Sequence, residues 1–214
     1  MRADRAPRSL EGQWAPTSAT NRPPLTAEPL HIRPPTLEDA AALLAFELEN
    51  RAWFERWVHP RDPEFYRLES LRATLEQAAQ ERRSDRSYQY LALAEDGRIV
   101  GRVNLRHVRR PHFRSAELGY RIGEREAGRG FASADVALCL REAFGPLGLW
   151  RIEATARPMN RASIRVLERS GFTAWGRSTR CVEFDGQWFD LIHFELHREG
   201  ALPAQRLAGN DIPP

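Results

Sequence analysis

The chain has 214 residues, of which 42% are hydrophobic and 29% charged, a composition typical of one soluble globular domain with tails. It has no apolar run near the ~20 residues of a membrane span and no apolar N-terminal segment of the secretion type, so we expect a cytoplasmic protein. The formal charge is only +3 and all 32 Lys/Arg residues are arginine, which is weak evidence for nucleic-acid binding and fits a phosphate-rich cofactor or an acidic partner equally well.

Prolines and small residues are concentrated at the two ends of the chain. Residues 1–27 and 199–214 contain them without hydrophobic periodicity, which predicts a disordered or loosely attached N-terminal arm and a C-terminal tail. Residues 28–198 carry the periodic hydrophobic patterns and are expected to form the domain.

The first half of the domain predicts alternating helices and strands. A strand at 30–33 precedes a helix that begins at Thr36, with Asp39 at the capping-box position. We expect this helix to bury the face that carries Leu37, Leu44 and Leu48. An aromatic segment broken by His59-Pro60 follows, then a helix at 68–79 and strands at 88–94, 99–108 and 115–122.

The second half of the domain begins with the turn Gly128-Arg129-Gly130-Phe131-Ala132. The helix after it has an apolar stripe, and Gly148 is expected to end it. A strand at 151–156 and a helix from Asn160 to Gly171 follow, then a hairpin folded on Asp185-Gly186. This order predicts an α/β fold with a mixed sheet flanked by helices.

The chemistry expected of the glycine-rich turn is anion binding. Glycine at 128 and 130 lets the backbone approach an anion closely, and the first helical amides point at it with the positive end of the helix dipole. A pyrophosphate is the natural ligand of such a turn. The turn alone is a weak signal, because many strand-to-helix turns contain two glycines and bind nothing.

The segments after this turn make the pattern specific. They are Leu147-Gly148-Leu149-Trp150-Arg151-Ile152-Glu153-Ala154, Asn160-Arg161-Ala162-Ser163, Gly171-Phe172 and Asp185-Gly186-Gln187-Trp188-Phe189-Asp190. In this order and spacing, residues 28–198 resemble the GNAT superfamily of acetyltransferases, in particular its Rim-type branch, which acetylates ribosomal-protein N-termini. The resemblance implies a mostly antiparallel sheet with two parallel, splayed central strands, and acetyl-CoA as co-substrate.

The resemblance also implies which residues bind acetyl-CoA. Backbone amides of Tyr120, Arg121 and Ile122 are expected to face the acetyl carbonyl and the pantetheine arm. The pyrophosphate is expected on the amides of Gly128, Arg129, Gly130, Phe131, Ala132 and Ser133, with the Arg129 side chain placed for phosphate charge. Ala127 and Ala134 depart from the superfamily pattern, but they remove no backbone amide.

Asn160 and Ser163 are one helical turn apart at the start of a helix. From the spacing alone, Asn160 as an N-cap and Ser163 as a first-turn residue explain the pattern as well as a functional role does. In the Rim-type branch the matching Asn contacts the coenzyme arm and the matching Ser protonates the departing thiolate. Many superfamily members use a tyrosine as this acid, at the position of Leu167 here. Ser163 is therefore the candidate general acid.

The general base is expected to be one of two carboxylates. If the hairpin turn has two residues, Glu183 lies opposite Trp188 on the polar face of the hairpin. Cys181 then lies opposite Asp190. Partial desolvation by the indole would make this carboxylate a better base, although a plain surface carboxylate explains the position equally well. Glu117, on the polar side of its strand, is the second candidate and acts through water.

The expected reaction is direct transfer of acetyl from acetyl-CoA to a primary amine, in particular the α-amine of a ribosomal or other protein, by a monomer or homodimer. A small amine such as an antibiotic, a polyamine or an amino acid is the alternative acceptor. A non-catalytic acyl-CoA sensor and a nucleic-acid-binding protein that uses the arm at 1–27 are further alternatives. No metal site is expected, because the two cysteines and six histidines lack ligand spacing.

The acceptor is expected to be recognised by loops around 50–66 and 108–114. Aromatic residues that could form a wall of the acceptor site, or pack in the core, are Trp53, Phe54, Trp57 and Trp188. The arginines of these loops argue mildly against a polycationic acceptor; they are Arg51, Arg56, Arg61, Arg109, Arg110 and Arg114.

Overall fold

Seven β-strands form one mixed sheet in residues 30–198, the part of the chain that this computed structural model describes. In chain order they are β1 (Leu30–Arg33), β2 (Tyr88–Ala94), β3 (Ile99–Arg109), β4 (Ser115–Ile122), β5 (Arg151–Ala156), β6 (Thr173–Phe184) and β7 (Gln187–His197). Across the sheet their order is β1-β2-β3-β4-β5-β7-β6, and only the β4–β5 pair is parallel within these residues. The predicted mixed sheet is confirmed; the arm at 1–27 and the tail at 199–214 lie outside the described residues.

The two parallel strands separate after three residue pairs. Residues 115–117 of β4 pair with residues 151–153 of β5. Beyond these pairs, β4 continues to Ile122 beside β3 alone, and β5 continues to Ala156 beside β7 alone. The backbone groups of β4 that face this gap have no strand partner. The splayed central pair expected from the sequence is therefore confirmed.

Five α-helices within the described range cover the two faces of the sheet. They are α1 (Ala40–Glu49), α2 (Arg51–Glu55), α3 (Leu68–Arg83), α4 (Phe131–Phe144) and α5 (Arg161–Arg169). Buried residues of α1 and α3 pack with Leu91 and Leu93 on one face, and those of α4 and α5 pack with Val103 and Ile152 on the other. No helix in residues 30–198 is long and apolar enough to cross a membrane.

The first helical segment begins as predicted but buries a different face. The backbone N–H of Thr36 donates to the Asp39 carboxylate at 2.7 Å, as a capping box requires. The predicted face is wrong, because Leu37 and Leu48 are 48% and 49% exposed. The buried residues of α1 are Ala40, Leu43, Phe46 and Glu47. Residues 40–46 are all apolar, so hydrophobicity alone does not select the face, and packing against α3 decides it.

Helix α4 ends at Phe144 rather than at Gly148, the predicted stop. Pro146 has no N–H to continue the helix and disfavours helical backbone at Gly145, which has φ −87° and ψ −102°. The last helical carbonyls are satisfied by a tight loop instead. For example, the N–H of Leu149 donates to the carbonyl oxygen of Ala143 at 2.8 Å.

Strands β6 and β7 form the predicted hairpin on a two-residue turn. Asp185 and Gly186 both have positive φ, 51° and 70°, as a type I′ turn requires. Glu183 lies opposite Trp188, so the predicted register at the tip of the hairpin is confirmed.

Farther from the hairpin tip the predicted register fails. The pairing of Cys181 with Asp190 is wrong, because a register shift between Ser178 and Val182 interrupts the ladder. The Asp190 carboxylate accepts a hydrogen bond from the backbone N–H of Arg180 at 2.8 Å instead. This bulge changes which side chains of β6 share a face, which the sequence pattern did not indicate.

Candidate active site

A cavity of about 760 Å³ lies where β4 and β5 separate. On the α2 side it is lined by Trp53, Phe54 and Trp57, three of the four aromatic residues expected at an acceptor site. Trp188, the fourth, is 60% exposed and does not line the cavity. Residues 118–122 of β4 and 154–156 of β5 line the middle, and the starts of α4 and α5 line the other side. One cavity thus joins an aromatic pocket to two helix N-termini.

The glycine-rich turn borders this cavity at the start of α4. Gly128, Gly130, Ala132 and Ser133 line it. Gly130 has φ 92°, a left-handed backbone that favours glycine, and as the N-cap it provides no side chain to the helix amides. The first-turn N–H groups therefore remain open to a ligand, which fits an anionic pyrophosphate.

Two residues of the predicted phosphate site do not line the cavity with their side chains. Phe131 is 2% exposed and packs with Ile122 in the core. The guanidinium of Arg129 lies 5.3 Å from the centre of the Phe131 ring. The contribution of Phe131 to a phosphate site is therefore limited to its backbone amide.

Asn160, Ser163 and Tyr120 meet at the start of α5, and all three line the cavity. Asn160 is the N-cap, and its Oδ1 accepts a hydrogen bond from the N–H of Ser163 at 3.1 Å. The Oγ of Ser163 lies 3.0 Å from the Oη of Tyr120, a contact that sequence analysis missed. Burial raises the pKa of Tyr120 to about 12, while the hydrogen bond with Ser163 lowers it. The phenol is therefore neutral at physiological pH and fixes the position of the Ser163 hydroxyl.

Glu183, the first candidate base, does not reach the cavity. Its neighbours Val182 and Phe184 line the cavity, and because side chains alternate along a strand the carboxylate points to the other face of the hairpin. Both Glu183 and Trp188 are exposed, so the expected desolvation of this carboxyl is absent.

Glu117, the second candidate base, also lies outside the cavity lining. Its Oε2 is 3.0 Å from Nδ1 of His107. The side chains of Glu117 and His107 are 44% and 69% exposed, so the pair is solvated. The structure thus keeps both predicted carboxylates at the surface.

The imidazole of His59, which the sequence indicated only as part of a chain break, lines the cavity. Its Nε2 lies 2.7 Å from the backbone carbonyl oxygen of Glu183, and its ring packs edge-on against Phe184. Because a carbonyl oxygen only accepts hydrogen bonds, Nε2 carries the proton in this contact and Nδ1 is free to accept one. Only a contact between segments 124 residues apart identifies this group, and no local sequence signal does.

The cavity is strongly cationic. Within the described residues, five arginines and one carboxylate line it: Arg106, Arg121, Arg157, Arg165 and Arg169, with Glu126. None of the six loop arginines expected to face the acceptor is among them, so the positive charge comes from the sheet and from α5 instead. Burial lowers the pKa of Arg121 to about 10 and also lowers that of Arg157, and both remain charged at neutral pH.

Known proteins share this sequence pattern. The acetyltransferase (GNAT) domain family matches residues 30–173. The chain is 32% identical over 167 residues to Probable N-acetyltransferase YjcK of Bacillus subtilis, covering 78% of this chain and 92% of that protein. It is 28% identical over 169 residues to the ribosomal protein uS5-alanine N-acetyltransferase of Escherichia coli, covering 78% of this chain and 87% of that enzyme.

One solved structure is similar to this chain in both fold and sequence. RimJ of Mycobacterium smegmatis in complex with CoA-disulfide superposes with a TM-score of 0.75 at 31% identity, covering 79% of this chain and 82% of that chain. Together with the splayed strands, the open amides at the start of α4 and the family match, this similarity establishes the class of enzyme. This chain belongs to the GNAT family of acetyltransferases and is an N-acetyltransferase with acetyl-CoA as its co-substrate.

Proposed function

We propose that this enzyme transfers acetyl to the α-amine of a protein N-terminus. The observation that carries the proposal is the positive charge of the cavity. Among the described residues that line it, five are arginines and one is a carboxylate. This field repels polyamines and other polycations. A single α-amine, with a pKa near 8, is about a tenth neutral at pH 7 and enters the cavity without that penalty. The E. coli relative, by its name, acts on an alanine of ribosomal protein uS5, which makes ribosomal N-termini the first acceptors to test.

The splayed strands and the two helix starts would orient the thioester. Backbone groups of residues 120–122 that face the gap have no strand partner. The carbonyl oxygen of Ile122 accepts a hydrogen bond from Nε1 of Trp53 at 3.1 Å, and we infer that the other groups serve the acetyl carbonyl and the pantetheine arm. We infer that the pyrophosphate binds the amides of Gly128 and of residues 130–133 at the start of α4. The N–H of Arg129 already donates to the carbonyl oxygen of Glu126 at 3.3 Å. Asn160 borders the same cavity and is the proposed contact to the coenzyme arm.

Ser163 is the proposed general acid. The amine nitrogen bonds to the thioester carbon, the C–S bond breaks, and its electron pair passes to the sulfur, which needs a proton to leave as a thiol. Ser163 lines the cavity, and its hydroxyl donates that proton and regains one from water after the thiol has left. The Oη of Tyr120, 3.0 Å away, orients the hydroxyl and remains protonated.

Acetylation of synthetic peptides tests this function. We expect intact-mass spectrometry to show one acetyl group on peptides that begin with Ala or Ser, and none on the same peptides with a blocked α-amine. Ser163→Ala should lower kcat about 10²-fold and leave the KM for acetyl-CoA unchanged, since the lost group acts on the departing sulfur. Ser170→Ala, at the end of the same helix and outside the cavity lining, is the matched control. If the enzyme acetylates small amines but no peptide, the acceptor is a small amine and not a protein N-terminus.

His59 is the proposed acceptor of the proton that the amine loses. Its Nδ1 is free to accept a proton while Nε2 is held by the carbonyl oxygen of Glu183. His59→Gln should lower kcat/KM about 10²-fold near pH 7, and the loss should shrink toward pH 9, where the α-amine is already neutral. Rates measured from pH 6 to 9 check this expectation.

Substitution of the two carboxylates tests whether the general base is His59 or one of these carboxylates. Glu183→Gln and Glu117→Gln keep size and hydrogen bonding but remove the charge, and we expect each to change kcat/KM less than threefold. If either variant shows the larger, pH-dependent loss, the base is that carboxylate, acting through water, and His59 only shapes the cavity.

A further inference from the structure

A buried cluster of charges lies beneath the α1 side of the cavity. Arg102 of β3 and Arg121 of β4 are direct cross-strand neighbours. Both donate to the carboxylate of Glu47 from α1, at 2.5 Å and 3.2 Å. Glu47 is 0% exposed and Arg102 is 5% exposed. Two guanidiniums therefore share one buried carboxylate, and one of them, Arg121, also lines the cavity.

Arg61 brings a third cation close to this cluster. Burial lowers its pKa, while Glu47 raises it and Arg102 lowers it, so the three groups interact electrostatically. In the described part of the chain its Nε is buried without a hydrogen-bond partner, and its guanidinium lies 4.0 Å from the centre of the Phe65 ring. The cluster therefore holds more positive charge than its carboxylate neutralises, an arrangement that is unfavourable unless an anion completes it.

Arg157 lines the same cavity and also lacks a carboxylate partner among the described residues. It is 8% exposed, and its Nη2 donates to the backbone carbonyl oxygen of Arg56 at 2.8 Å. Its guanidinium lies 4.3 Å from the centre of the Phe184 ring. Among residues 30–198 no carboxylate lies within ion-pair distance of it. A guanidinium removed from water in this way is ready to form a charge-assisted hydrogen bond with a ligand.

The side chain of Arg121 points away from the groups assigned to acetyl-CoA, which include its own backbone. Successive residues of a strand point to opposite faces. Tyr120 points to Ser163 of α5, whereas Arg121 points to Glu47 of α1 and lies 5.1 Å from the centre of the Phe54 ring. Arg121 therefore belongs to the aromatic side of the cavity, across the sheet from the start of α5.

We propose that the acceptor carries a carboxylate on the residue next to its α-amine, and that Arg121 and Arg157 bind this carboxylate. This inference rests on the proposed function and names its substrate class: protein N-termini whose second residue is Asp or Glu. A guanidinium fork matches the two oxygens of a carboxylate. Binding it neutralises the excess positive charge and places the α-amine toward the middle of the cavity, where residues 118–122 line the gap.

Three matched peptides test the proposal: Ala-Glu-Glu, Ala-Gln-Gln and Ala-Lys-Lys, each followed by the same neutral sequence. We expect the wild-type kcat/KM for the Glu peptide to exceed that for the Gln peptide at least 10-fold and that for the Lys peptide about 100-fold. Arg157→Gln should reduce the Glu-to-Gln ratio to less than threefold, and Arg157→Lys should restore part of it. Arg121→Gln should act in the same direction if the variant folds. Arg141→Gln, an exposed arginine of α4, controls for the loss of one charge.

Acetyl-CoA affinity, measured by calorimetry on each variant, separates the outcomes. Unchanged affinity with a lost Glu preference supports the proposal. Equal rates for the Glu and Gln peptides in the wild type overturn it and leave the proposed function intact. Bound acetyl-CoA with no peptide acetylated overturns the proposed function itself. If Arg157→Gln weakens acetyl-CoA affinity as much as it weakens peptide turnover, Arg157 serves the co-substrate, which also overturns the proposal.

Discussion

Gly130→Val should abolish acetyl-CoA binding to a protein that remains folded. Gly130 has φ 92°, where a β-branched side chain is strained, and its backbone begins α4 beside the cavity. The valine side chain both shifts the first-turn amides and occupies space that the pyrophosphate needs. We expect the affinity to fall at least ~100-fold, which corresponds to about 2.8 kcal/mol. Calorimetric titration of acetyl-CoA into the wild type and the variant measures the change.

Gly97→Val is the matched control for this experiment. Gly97 has φ 81°, and no atom lies within 4 Å of the position that a Cβ would take, so the substitution adds the same kind of backbone strain without a clash. It lies in the β2–β3 turn, outside the cavity lining. Both variants should lose stability in thermal unfolding, but only Gly130→Val should lose acetyl-CoA. Normal binding by Gly130→Val would show that the phosphates are held elsewhere.

The strands and the cofactor turn were predictable because their signals are local. Strands β2, β4 and β5 have the bounds that the sequence predicts, since each lies between turns rich in glycine, proline or charge, and β4 and β5 also alternate in polarity. The turn at 128–132 depends on backbone conformation, and glycine spacing reports that conformation directly. Where a segment is apolar on all sides, as at residues 40–46, the sequence does not choose the buried face.

The charged side of the cavity was not predictable, because its contacts join distant segments. Arg102 and Arg121 become neighbours only through the β3–β4 register, and Glu47 reaches them from a helix 55 and 74 residues away. A glutamate in α1 looks like a solvated residue, since most glutamates are exposed. The desolvation expected for Glu183 is absent for a related reason. The sequence shows that Trp188 is large, but it does not show that this indole is exposed to solvent.

Asp135→Ala should stabilise the protein. Asp135 of α4 is 0% exposed, and neither carboxyl oxygen has a hydrogen-bond partner in the described part of the chain. A buried carboxyl without partners costs about 1–3 kcal/mol even when it is neutral. Removing it should raise the free energy of unfolding at pH 7 by about 1–3 kcal/mol, less the small cost of the lost volume. Urea unfolding measures the difference.

The pH dependence of this difference identifies its cause. Burial raises the pKa of Asp135 well above the ordinary carboxyl value, so the folded protein binds a proton that the unfolded chain releases. The associated stability is present below the unfolded pKa of about 3.9 and is lost as the pH rises through the higher folded pKa. The advantage of Asp135→Ala should therefore grow from pH 5 to pH 8. Glu142→Ala, which removes a partly exposed carboxylate from the same helix, is the control for the loss of one carboxylate. An Asp135→Ala variant less stable than the wild type throughout this range would mean that the carboxyl has a bound partner.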